Sequence, residues 1–439
     1  MSISEMFTQF IANLAIRNTD TISTRYGEIT AALNKNFRDT ESKTANTLQV
    51  GSFGRKTGVD GISDLDMLYI MPKNKWETYN KPGGQLKLLQ DTKNAILQRY
   101  PTTKVRVDRL VVTVTYTNFY IEVQPVFEQE DNSYKYPDTK NGGNWKVTKP
   151  RDEMDAVANL DALKNSNLRK LCKMARAWKN KHGVGIGGLL IDTLAYNFLK
   201  STNYFDSKSY SYYDILSRDF FKYLSELPEQ SEYSAPGSRQ RVRVKNKFQR
   251  KAKKAYQLCQ DAIDHEKNND VNDRWKKVYG RPFPTTQKVS TESHIARILK
   301  TWSNTEEFIE DKFPIDIRYQ LKIDCEVIQR GFRKFRLREM LGLKIPLRSD
   351  KKLKFWVCEL PQITGSYQIY WKVLNRGEEA QRRNCIRGQI VIDGGNNLKE
   401  ESSNFRGEHV VECYLIQNNI VVAKDRIHVP IVADGRDYD

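Results

Sequence analysis

Apolar residues recur at helical spacing through residues 3–17 and 20–39, and the pattern stops at the polar stretch DTESKTANT. A short apolar segment, LQVGSF, follows, then a glycine-rich turn and the strand-like run LDMLYIMP. The breaker Pro82-Gly83-Gly84 predicts a helix over 85–99. Two runs dense in branched and aromatic residues, VRVDRLVVTVTYT and FYIEVQPVF, read as strands. This order of elements predicts a mixed sheet backed by helices over residues 1–160.

From about 155 to 345 the pattern is mainly helical. In NLRKLCKMARAWKNKH, Leu168, Leu171, Cys172, Ala175 and Trp178 fall on one face, while Arg169, Lys173 and Arg176 gather on another. Gly183, Gly185, Gly187 and Gly188 break that helix before LLIDTLAYNFLK begins the next, and further helices are expected at 214–227, 247–268, 292–301 and 316–338. Beyond Leu353 the texture changes to short alternating strands separated by turn residues, which predicts a small antiparallel sandwich. The expected divisions are therefore 1–160, a helical lobe at 161–349, and an all-β domain at 350–439.

Composition excludes several classes. Hydrophobic content of 39% and charged content of 29% describe an ordinary folded chain. No apolar run approaches the roughly 18 residues of a membrane helix, and the N-terminus lacks the features of a signal peptide, so a cytoplasmic protein without membrane contact is expected. The six cysteines are scattered without a CxxC pair, which fits structural thiols in a reducing compartment. The net charge of +18 points to a polyanionic partner, and its densest stretch, Arg239 to Lys254, contains no acid. A solvated surface explains that stretch as readily as nucleotide or nucleic-acid contact.

The chemistry concentrates in Gly51-Ser52-Phe53-Gly54-Arg55-Lys56-Thr57-Gly58 and the following Ser63-Asp64-Leu65-Asp66. Two acids one residue apart on a strand project from the same face and can hold the same hard cations. Magnesium suits them because it takes few carboxylates and completes its octahedron with water and substrate phosphate. The Gly51-Ser52 turn can offer N–H groups and a hydroxyl to a polyphosphate. Glu122, in the otherwise apolar YIEVQPVF, is the candidate third carboxylate, since an acid buried there is costly unless paired or metal-bound. A solvent-facing hairpin is the bland alternative, but it leaves the apolar Met67, Leu68, Tyr69 and Ile70 unexplained.

These residues carry a resemblance. GSFG…SDLDMLYIMP with IEVQPVF resembles the polymerase-β-type nucleotidyltransferases, and more closely the bacterial relatives of cyclic GMP-AMP synthase and oligoadenylate synthetase from CBASS anti-phage operons. The resemblance continues into the helical half and the C-terminal strands, which look like a sensor domain. It implies an α+β polymerase-β-like core with a helical lobe and an all-β sandwich. The implied activity is joining ATP, GTP or other nucleoside triphosphates into a cyclic di- or trinucleotide, with two Mg2+ ions for which Mn2+ substitutes. Carried over by position, Gly51 and Ser52 contact phosphate, Asp64, Asp66 and Glu122 are catalytic metal ligands, and Arg176, helped by Lys173, grips the donor triphosphate. Relatives often have a serine where this chain has Gly187-Gly188, and many have aspartate in place of Glu122. Implied partners are the triphosphates, an activating ligand for the C-terminal domain (Tyr370, Trp371, Lys372, Arg382 and Arg383 being candidate contacts) and CBASS accessory proteins. A linear-oligonucleotide synthase, an RNA-tailing enzyme and an inactive nucleic-acid-binding regulator remain as alternatives. Asp192 and Thr193 begin a helix beside the expected cleft, where a surface acid and a helix-start cap are the plainer reading and base recognition is the alternative.

Overall fold

The computed structural model describes residues 1–61, 64–117, 119–285, 306–328, 333–375, 380, 382, 387–403 and 406–432. Ser63, Arg383 and the helix expected at 292–301 lie outside the described residues. The chain divides into two compact units, Met1–Lys181 with Ile186–Thr285, and His182–Gly185 with Thr286–Asp439. The first unit spans the expected boundary at 160. The second begins well before 350.

In the first unit a sheet runs in the order β1 (Thr47–Gln49), β2 (Asp64–Ile70), β5 (Tyr120–Glu128), β4 (Val112–Thr115), β3 (Lys104–Val107). The pair β2–β5 is parallel and its neighbours are antiparallel; β6 (Tyr134–Asp138) and β7 (Asn144–Thr148) extend it from β5. Because side chains alternate along a strand, Leu65, Met67, Tyr69, Ile121 and Val123 all point to one face. There they form a core with Ile22, Ile29 and Leu33 of α2 (Thr19–Arg38) and Leu88, Leu89 and Ile96 of α5 (Gly84–Arg99). Asp64, Asp66 and Glu122 fall on the opposite face.

Upstream, α1 (Ile3–Asn13) opens with a capping box, in which Ser2 and Glu5 each satisfy the other's backbone N–H. Short helices α3 (Gly51–Gly54) and α4 (Trp76–Tyr79) sit between strands. After the sheet come α6 (Pro150–Leu163), α7 (Asn167–His182), α8 (Gly188–Lys200), α9 (Tyr213–Glu226), α10 (Gln249–Asp264) and α11 (Val271–Tyr279). Phe7 and Phe10 of α1 meet the rings of Tyr213, Trp275, Tyr279 and Phe283, so the first helix is stitched to the last ones of its unit. Between α9 and α10 a two-stranded ribbon pairs β8 (Glu232–Ser234) with β9 (Arg241–Arg243). Its Arg241 and Arg243 flank buried Val242 and face solvent, so part of the basic stretch lies on this ribbon rather than in a loop.

The second unit holds two sheets. One runs β11 (Phe335–Arg336), β10 (Lys322–Ile328), β13 (Lys352–Glu359), β16 (Leu398–Ser402); the other runs β12 (Leu347–Arg348), β18 (Ile420–Val432), β17 (Gly407–Gln417), β14 (Gln368–Leu374), β15 (Ile390–Ile392). Among the described strand pairs of this unit only the two-residue β12–β18 pairing is parallel, and an isolated parallel bridge joins Ile315 to Val421. Short helices α12 (Ile309–Lys312) and α13 (Leu337–Gly342) accompany them. The expected helix over 316–338 is replaced by β10, β11 and the start of α13. In β10, Ile323, Cys325 and Val327 are buried, a two-residue alternation that a helical reading overlooks. The strand pairs with β13, so the expected boundary near 349 falls inside one sheet.

Candidate active site

The parallel register of β2 and β5 sets Asp66 beside Glu122 and Asp64 beside Tyr120. All three acids are half-buried. Adjacent strands lie about 4.8 Å apart, and like charges placed side by side there destabilise a sheet, a penalty that a shared cation removes. Among the described residues no three His, Cys, Asp or Glu side chains gather into a ready-made metal cage. Two neighbouring carboxylates with a third on the same face are still the hard-oxygen set that magnesium uses when phosphate and water supply the remaining ligands. The donor set therefore fits that ion, with Asp64, Asp66 and Glu122 as the residues that would hold it.

Gly51 brings the turn onto this row. The Val50 N–H donates to the Asp66 carbonyl at 3.0 Å, and Gly51 follows with φ +64°. A Cβ on Gly51 would stand 1.7 Å from Asp66 Oδ2, so only glycine allows the turn to lie against that carboxylate. Past Ser52 the chain closes on itself: the Thr57 and Gly58 N–H groups both donate to the Ser52 carbonyl, at 2.9 and 3.1 Å. Ser52, Lys56 and Lys173 line a cleft of about 960 Å³ that also reaches Thr24, Gln49 and Met154. Burial, then repulsion from Arg169 and Arg176, lowers the Lys173 ammonium below the usual lysine range. Lys173 and Ser52 thus share one cavity, whose lining does not include Asp64, Asp66 or Glu122.

Arg176, which the resemblance assigns to the donor triphosphate, is paired with an acid of the chain itself. It is only 5% exposed and donates to both oxygens of Asp192, at 2.5 and 3.1 Å. Asp192 Oδ2 also accepts from Arg55 Nε and from the Thr57 hydroxyl, both at 2.9 Å. Arg55 reaches in turn to Glu153 of α6 at 3.2 Å, and the Ser238 hydroxyl donates to Glu153 at 3.0 Å. Asp192 is fully buried inside α8, neither a cap nor a surface acid. Burial works against its ionisation, but Arg176 and Arg55 outweigh it and hold the carboxyl at about 2. Burial raises the Glu153 carboxyl, with Arg55 only partly offsetting it. Arg55, Thr57, Glu153 and Asp192 are the residues the sequence argument missed. An acid inside the apolar run GLLIDTLAYNFL was the available signal, the same one that singled out Glu122.

In the second unit, Lys372 is buried and bonded to Glu306 at 3.1 Å, and Trp371 is buried with its indole N–H donating to Asp393 at 2.8 Å. Both belong to the interior of that unit, not to an open ligand surface. Cys172, Cys259, Cys325 and Cys413 are buried and unbridged.

Residues 1–160 match the family model of the Second Messenger Oligonucleotide or Dinucleotide Synthetase (SMODS) domain, and residues 303–432 match that of the Adenylyl/Guanylyl and SMODS C-terminal sensor domain. These matches define a nucleotidyltransferase enzyme. The chain thus matches a SMODS synthetase domain followed by the C-terminal sensor domain that accompanies such synthetases. It is similar to a probable cyclic nucleotide synthase of Bacillus cereus (strain VD146), 20% identical over 274 residues that cover 54% of this chain and 81% of that one. Among solved structures, CdnC in the CdnC:HORMA-deltaN complex of E. coli MS115-1 overlaps with a TM-score of 0.49 and 14% identity, covering 64% of this chain and 98% of that one. The apo form of DncV from Vibrio cholerae overlaps with a TM-score of 0.45 and 15% identity, covering 54% and 69%. Asp192 and Arg176 lie between the two matched domains.

Proposed function

We propose that this enzyme synthesises a cyclic di- or trinucleotide second messenger from nucleoside triphosphates, with magnesium held by Asp64, Asp66 and Glu122. The observation that supports the reading is the close approach of the Gly51 turn to Asp66, because a turn that offers its backbone to phosphate would then act beside the carboxylate row. In the reaction a ribose hydroxyl of one nucleotide attacks the α-phosphorus of another and the bond to pyrophosphate breaks; the second such step closes a dinucleotide ring, and the third a trinucleotide ring. Bound magnesium supplies charge neutralisation on the phosphates and eases loss of the hydroxyl proton. The chain itself contributes orientation: Ser52 and the turn hold the polyphosphate, and Lys173 adds a cation in the same cleft. The C-terminal domain receives an activating ligand, and the product serves anti-phage defence of the CBASS kind in the bacterial cytoplasm. Because Lys372 and Trp371 are interior, that ligand would be met by other residues.

Incubation with all four triphosphates and magnesium, followed by phosphatase and mass spectrometry, tests the reading. A phosphatase-resistant cyclic product is expected. Products trimmed by phosphatase would replace it with linear synthesis, and no product at all would leave a binding protein.

A further inference from the structure

We propose that Asp192 is a positioning residue of the synthase, fixing the phosphate-binding turn through Arg55 and Thr57 and so setting where Ser52 meets a nucleoside triphosphate. The inference rests on the synthetic reading above for the identity of the triphosphate site.

The turn is held at both ends. At its start Gly51 lies against Asp66 with no room for a Cβ. At its end the side chains of Arg55 and Thr57 both donate to one oxygen of Asp192. Between these anchors, the Thr57 and Gly58 N–H groups fasten the Ser52 carbonyl, so a displacement of Thr57 is transmitted to Ser52. The Arg55 carbonyl is also taken by Arg169 Nε of α7 at 3.1 Å. Asp192 cannot drift to accommodate a looser turn, because Arg176 occupies both of its oxygens and donates as well to the Gly188 carbonyl at 3.2 Å. A surface ion pair could shift with little penalty; a fully buried carboxylate accepting from two arginines and a hydroxyl has one low-energy arrangement.

The position of Thr57 makes a mild test possible. Thr57→Val keeps the volume and removes the hydroxyl that donates to Asp192, whereas Thr57→Ser keeps the hydroxyl. Arg55→Lys keeps the charge but loses the fork that spans Asp192 and Glu153. Each full-length variant would be assayed for melting temperature, for steady-state synthesis, and for affinity towards inorganic tripolyphosphate by calorimetry without turnover. Thr57→Val is expected to weaken tripolyphosphate binding and raise KM by about tenfold while kcat at saturation changes little, the loss of one charge-assisted contact's worth of alignment. Thr57→Ser should recover both, and Arg55→Lys should lose more than Thr57→Val. If Thr57→Val and Arg55→Lys lower the melting temperature yet bind tripolyphosphate and turn over as the wild type does, Asp192 serves folding alone and the proposal is overturned. A wild type that binds tripolyphosphate but joins no nucleotides would sink the synthetic reading, and a weaker-binding Thr57→Val in that case would still support the positioning role. A wild type that makes product yet binds no tripolyphosphate overturns the positioning proposal and leaves the synthetic reading standing.

Discussion

Two acidic regions of the first unit, the strand row and the α8 carboxylate, show opposite solutions to the same electrostatic problem. Asp64, Asp66 and Glu122 stand half-buried on one sheet face beside a glycine that admits backbone and nothing larger. Asp192 is fully buried, with two arginines and a hydroxyl from the chain saturating it. A carboxylate whose cations come from its own fold is committed to structure. For the half-buried row beside the Gly51 turn, the proposed role is to hold a cation that arrives with substrate. The same side-chain type would therefore do two jobs, and depth of burial separates them.

The strongest way to break this contrast is to neutralise the row. Asp64→Asn with Asp66→Asn should abolish synthesis, a drop of at least about a thousandfold, because several kcal/mol of transition-state stabilisation is lost. Its melting temperature should stay close to that of wild type, since asparagine keeps the side-chain volume. A folded double mutant that still makes product would remove the row from catalysis.

Neutralising Asp192 should do the reverse, costing stability first. Asp192→Asn leaves two buried guanidinium groups short of an anion, a loss of about 3–5 kcal/mol measured by urea unfolding. The sign of its pH dependence follows from a carboxyl held at about 2 in the fold against about 3.9 when unfolded. Its stabilisation is complete above the unfolded value and disappears as pH falls towards about 2, so the gap between wild type and Asp192→Asn should narrow only below about pH 4. A gap that is constant from pH 3 to 7 would show that ionisation of Asp192 is not what holds the cluster. Glu153 has the opposite sign: its raised carboxyl favours folding as pH falls, so Glu153→Gln should gain on wild type as pH rises.

Gly51→Ala probes the place where the row meets the turn. It adds a Cβ within 1.7 Å of Asp66 Oδ2 at a φ of +64°, and the strain should lower stability by about 1–3 kcal/mol while reducing activity further. An alanine variant with full activity would mean that turn and carboxylate separate freely. The smallest effect is expected for Lys173→Ala, a rise in KM of about tenfold with the fold unchanged, because a lysine lining the cleft acts on substrate alone. If Lys173→Ala instead lowered the melting temperature as Asp192→Asn does, the two lobes of the comparison would merge.

Much of this was legible in the sequence. The apolar periodicity of residues 20–39 and 85–99 corresponds to α2 and α5, and the branched run FYIEVQPVF to β5. Asp64 and Asp66 share a face because strand geometry requires it, and Glu122 joins them through register. What escaped depended on partners distant in the chain. Arg55 and Asp192 are 137 positions apart, and no local pattern in GSFGRKTG announces the pairing. The burial of Arg176 was not legible either, because helical spacing tells which residues share a face, not which face is covered. The strand β16 reads LKEES, too charged to signal a strand, since an edge strand needs little apolar surface. The strand β10 was lost for a different reason: Asp324 and Glu326 broke its apolar run, although the alternation that survives is what a sheet with one covered face produces.

The pairing of β10 with β13 also governs where this protein can be cut. A chain stopped at Ser349 would keep β10 but discard the strand it bonds along its whole length, from Lys322 opposite Glu359 to Ile328 opposite Lys352. The orphaned edge would offer unpaired backbone to other molecules, and such a fragment would be prone to self-association. Residue 285 is the better seam, since the first unit ends there. Even that cut is not neutral: Gly183 sits on the connection between α7 and α8, yet its nearest neighbour, the Lys424 carbonyl oxygen 2.4 Å from its ideal Cβ position, belongs to the far C-terminal strand. Gly183 belongs with the second unit, so any deletion assay needs a companion that spares the deletion and substitutes Gly183 alone.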